Sequence, residues 1–149
     1  MPCDTRLLTF NEMLKLATEQ LSASDQRMEE GRTRLERAMA NVQAAQERLD
    51  RAVFDEATAR QAYIDCLSCL NTPPEDHSAP MRETLTTLYN ARTQAVLDTL
   101  SARETVSSSQ KTLDEATDAF TVAQGSQRKI AEEKNLIESE ISKLSNQSR

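Results

Sequence analysis

The 149-residue chain contains no Trp, only 2 Gly and 3% aromatic residues, so it lacks the bulky side chains that fill an ordinary globular core. A single His, with no Gly-rich phosphate cradle, leaves catalysis without a foothold. The adjacent acids Glu29 and Glu30, Asp114 and Glu115, and Glu132 and Glu133 point in different directions on a helix, while others such as Glu47 are placed to pair with Arg51 one turn on. The chain is expected not to be an enzyme and to need no cofactor. No apolar run approaches the roughly 20 residues that span a bilayer, and the N-terminus has no charged segment followed by an apolar one, so a soluble, unprocessed chain is expected.

Charge of one sign is not concentrated anywhere. The net charge is −6, and residues 1–70 and 71–149 each hold 9 basic and 12 acidic side chains. Nucleic-acid binding is disfavoured, because neutralising phosphates requires a basic stripe. Three cysteines, Cys3, Cys66 and Cys69, do not make a disulfide framework, and a reducing compartment is their natural home. Cys66, Cys69 and His77 fall one short of a tetrahedral zinc set, so no metal site is expected.

What is present is periodicity. Every seventh residue from Leu7 reads Leu7, Leu14, Leu21, Met28, Leu35, Val42, Leu49, Glu56, Tyr63 and Leu70. An answering row, Leu88, Ala95, Ala102, Ser109, Ala116, Ala123, Ile130, Ile137 and Leu144, pairs with the first so that residue numbers sum to 151. That constant sum predicts an antiparallel hairpin. A second row in the first half, from Phe10 through Ala17, Ser24, Gly31, Ala38, Ala45, Ala52 and Ala59 to Cys66, faces Ile141, Lys134, Gln127, Phe120, Leu113, Val106, Thr99, Arg92 and Leu85. Small faces large at Gly31 and Phe120 and at Ala38 and Leu113, as knobs-into-holes packing requires. A register shifted by one heptad also matches volumes at some layers, but the loop length favours the unshifted pairing.

The predicted fold is all-α, two long helices forming an antiparallel coiled coil: a single elongated hairpin over 1–149 with a helix at about 5–70, a loop at 71–79 and a helix at about 80–145. Asp4 or Thr5 is placed to cap the first helix, with Thr9 and Glu12 as a second capping box. Pro73 and Pro74 stop the first helix, and Ser78 caps the next with Pro80 in its first turn. Pro73, Pro74 and Pro80 would each cost a continuous helix about 3 kcal/mol, which favours an elongated closed monomer over an arm-swapped dimer. Polar groups at seam positions, Ser24, Glu56, Arg92, Thr99 and Lys134 among them, are expected to reach water along the narrow seam.

With the seam so assigned, Val53, Phe54, Ile64 and Leu67 on the first helix and Tyr89, Val96, Leu97 and Leu100 on the second are apolar residues left off it, all in the loop-side half. They are the candidate partner-binding residues. Val53, Leu67, Tyr89 and Val96 occupy e positions, which flank one side of an antiparallel seam and form a strip that accepts a partner helix. The alternative is a drift in phase: Met81, Leu85, Tyr89, Arg92, Val96 and Leu100 follow a spacing nearer 3.7 than 3.5, which would turn Tyr89 and Val96 into seam residues. The sequence leaves both open.

Two long helices joined by one turn, with no catalytic residues and with Tyr63, Ile64 and Leu67 before the turn, give a chain that resembles the YscO/HrpO/FliJ group, central stalk proteins of bacterial type III secretion and flagellar export. The resemblance covers the whole chain and rests on architecture and size. It implies a stalk or escort in the bacterial cytoplasm, at the cytoplasmic face of a secretion apparatus, with the type III secretion ATPase and the export gate or chaperones as protein partners. Leu7 to Leu21 with Ile130 to Leu144 would then enter the ATPase pore, and Phe54, Ile64, Leu67, Tyr89 and Leu97 would face the gate or chaperones. A structural scaffold that self-associates into a helical bundle is the alternative.

Overall fold

The computed structural model describes residues 2–69 and 78–147, with side chains from residue 5 onward. Two helices, α1 (Pro2–Ser68) and α2 (Ala79–Gln147), pack against each other antiparallel, so the chain is an all-α helical hairpin. Of the expected loop 71–79, residues 71–77 lie outside the described residues, and with them Pro73, Pro74 and His77. The hairpin divides into two compact units: Met1–Arg37 with Asp114–Arg149, and Ala38–Leu113.

α1 starts earlier than expected. It is helical from Pro2, where a residue without an N–H costs nothing because the first amides have no intrahelical acceptor. Thr9 caps nothing; its hydroxyl donates to Thr5 O at 2.9 Å inside the continuing helix. The start of α2 follows the sequence closely. Ser78 Oγ accepts from Met81 N–H at 3.3 Å and Ser78 O accepts from Arg82 N–H at 3.2 Å, the geometry of an N-cap with Pro80 in the first turn.

Burial reproduces the heptad rows residue by residue. From Leu7 to Cys66, every member of the two α1 rows is buried or half-buried, and among the described residues of α1 only Ala62 joins them. The α2 rows behave alike from Leu85 to Leu144. Contacts in each unit fix the register. In the first, a Cβ built on Gly31 would meet Phe120 Cδ2 at 3.4 Å, and Gln127 Nε2 donates to Asp25 Oδ1. In the second, Thr99 hydrogen-bonds Ala52 O across the seam. Gly31 with Phe120 and Ala52 with Thr99 are both pairs that sum to 151, which excludes the shifted register.

The fully buried core is made mostly of small residues. Ala17, Ala38, Ala45, Ala102, Ala116 and Leu144 are its buried apolar members, with Ser24 and Thr99 as buried polar ones, and no large side chain among the described residues is sealed from water. Of the seam polar groups expected to reach water, Ser24 and Thr99 are instead buried, while Glu56 meets Arg60 at 3.6 Å and Lys134 meets Glu138 at 4.0 Å along their own helices. No buried side-chain polar atom among the described residues lacks a partner.

Outer faces hold themselves together within each helix. Gln46 donates to Asp50, Gln61 to Asp65 and Gln94 to Asp98, each one turn on, and such pairs contribute about 0.2–0.5 kcal/mol apiece. Glu47 accepts from Gln43 at 3.5 Å and makes no ion pair with Arg51. Thr18, Thr33, Thr58, Thr93 and Thr121 each donate their hydroxyl to the carbonyl four residues back.

Candidate protein-binding surface

All eight candidate partner-binding residues fall in the unit Ala38–Leu113. Because the seam rows hold their 3.5-residue spacing through Leu85, Leu88, Arg92, Ala95, Thr99 and Ala102, α2 does not drift in phase, and Tyr89 remains 48% exposed. Val96 differs from the other candidates. It is half-buried at the seam margin, while Val53, Phe54, Ile64, Leu67, Leu97 and Leu100 are all exposed.

Helical geometry sorts these residues into two groups. Ile64 and Leu67, three apart, are neighbours on α1, and Val96 and Leu100, four apart, are neighbours on α2; with Val53 and Tyr89 they border the e side of the seam. Phe54, at 70% exposed, and Leu97, at 53%, sit at f positions and point directly away from the partner helix. The strip expected from the sequence is therefore one side of the hairpin plus two outward-facing anchors.

An aromatic and cationic cluster anchors the middle of this surface. The rings of Tyr63 and Tyr89 lie 5.7 Å apart at 59°, a tilted pair that ties α1 to α2. The Arg92 guanidinium lies 5.8 Å from the Tyr63 ring centroid, so a seam position opposite the small Ala59 is used for a cation over an aromatic face. Arg92 thereby covers apolar area with its stem and keeps its charge near water.

Sequence reasoning missed members of this surface. Met39 is exposed at an e position two heptads before Val53, and it lines a shallow groove of about 420 Å³ with Val42, Gln43, Gln46, Glu47 and Leu113. The same heptad count would have found it. Exposed apolar residues are also not confined to the loop-side half, because Leu8, Met13, Leu16, Val122 and Leu136 are exposed in the other unit.

His77, which with Cys66 and Cys69 falls one short of a tetrahedral set, lies outside the described residues; among the described residues no three His, Cys, Asp or Glu side chains gather. No described helix is long and apolar enough to cross a membrane. No protein-family model matches the chain, and no curated protein matches it significantly.

Proposed function

We propose that the chain is a non-catalytic coiled-coil stalk or escort of a bacterial type III secretion apparatus, working in the cytoplasm by binding protein partners: the secretion ATPase, and the export gate or chaperones. One observation carries the protein-binding part of this reading. Large apolar side chains, Phe54 and Leu97 foremost, stand exposed on helices whose fully buried seam residues are mostly alanine. A side chain of that size left in water gains about 1.5–3 kcal/mol when a partner covers it, more than an Ala layer of the seam contributes by itself. The secretion setting rests on the resemblance of the two-helix architecture and size to the YscO/HrpO/FliJ group.

A self-associating scaffold is favoured by a different observation, the presence of exposed apolar residues in both units, which suits a bundle built from two hairpins. Size-exclusion chromatography with light scattering separates the two. The stalk reading expects a monomer of 16.7 kDa that co-elutes with a type III secretion ATPase. A stable dimer or tetramer indifferent to the ATPase overturns it in favour of the scaffold.

A further inference from the structure

The end of α1 and the first residue beyond it carry Cys66, Leu67, Ser68 and Cys69, a pair of thiols separated by two residues. Cys69 N–H is shared between Asp65 O at 3.3 Å and Cys66 O at 3.2 Å, so the helix tightens toward three residues per turn where it ends. In such a turn the side chains at i and i+3 eclipse. Both cysteines accordingly line one apolar groove of about 270 Å³, completed by Pro80, Met81 and Thr84 of α2. Cys69 is exposed and Cys66 half-buried, and neither is in a disulfide.

We propose that Cys66 and Cys69 are a redox-active dithiol that closes into a disulfide across the C-terminal end of α1 by exchange with a small-molecule disulfide. Helix geometry sets Cα atoms three residues apart at about 5 Å, inside the range a disulfide spans, so closure needs side-chain rotation rather than rearrangement of the hairpin. The exposed Cys69 thiolate attacks one sulfur of the small disulfide, forming a mixed disulfide and releasing the first small thiol. The Cys66 thiolate then attacks Cys69 Sγ and expels the second. The dithiol loses two electrons and two protons, and the small disulfide is reduced to two thiols. Oxidation removes both thiols from the groove against Met81, so the pair sets the chemistry of that groove by the local redox poise.

The test uses the 149-residue chain with Cys3→Ser, which leaves both thiols of the pair in place. After exposure to glutathione disulfide and alkylation of remaining thiols, intact mass should show a chain that has lost two hydrogens and carries neither glutathione nor alkyl group. Adding Cys66→Ser or Cys69→Ser should instead stop the reaction at one stable glutathione adduct. Closure should be severalfold faster in the folded chain than in urea, since the eclipsed turn presents the thiols to each other. Accumulation of two glutathiones, persistence of two free thiols, or equal rates folded and unfolded would each overturn the proposal.

Discussion

Thr99 Oγ1 stands 3.3 Å from Ala52 O on the opposite helix and 3.0 Å from Ala95 O on its own, at a position only 2% exposed. Its single proton is shared between the two carbonyls, making it a polar tie between α1 and α2. Thr99→Val keeps the shape and removes the tie. The expected cost is about 1 kcal/mol in urea unfolding, because both carbonyls retain their helical amide partners and none is orphaned.

Gly125 and Gly31 should respond differently to alanine. Nothing lies within 4 Å of a Cβ added at Gly125, so Gly125→Ala should raise stability by about 1 kcal/mol, the full helix-propensity gain. At Gly31 the new Cβ would contact Phe120 at 3.4 Å, and the gain should be smaller. Paired thermal melts of the two variants check the order.

The cap at Ser78 gives a third expectation. Ser78→Ala leaves Met81 N–H without its side-chain acceptor and should cost about 0.5–2 kcal/mol, whereas Ser78→Gly should cost only a few tenths. Circular dichroism during denaturation reads both.

Ala102 has no exposed surface, and its place opposite Leu49 leaves no room for a larger residue. Ala102→Leu should destabilise by about 1–3 kcal/mol through overpacking. The same substitution at exposed Ala57 should be near neutral, and the contrast in urea midpoint tests the seam assignment.

Phe54→Ser with Leu97→Ser should leave the urea midpoint within about 0.5 kcal/mol of the parent, since both side chains face water. Partner co-elution should weaken at least tenfold. Retention of full binding by this double variant would remove the two outward anchors from the interface.

The fold was legible because the heptad rows and their constant sum are long-range information written in local periodicity. A slip of one heptad would have set Phe120 beside Ala38, and the contact at Gly31 excludes it. The surface was legible only in part. Heptad position placed Phe54 and Leu97 correctly in water, but Val96 shows that an e position can be half-buried at the seam margin, which depends on how closely the helices approach at small residues. Met39 and the exposed residues of the other unit were open to the same counting. The start of α1 was placed about three residues late because Asp4 and Thr5 are cap-type residues, whereas the helix already runs from Pro2.

The use of threonine hydroxyls inside the helices has a consequence for hydration. Thr18, Thr33, Thr58, Thr93 and Thr121 commit their only proton to their own backbone, so toward solvent they offer lone pairs and a methyl group but no donor. Around these five threonines the first water layer is therefore held less tightly than a free hydroxyl would hold it. A partner helix arriving at those positions sheds that layer at lower cost than it would over charged groups.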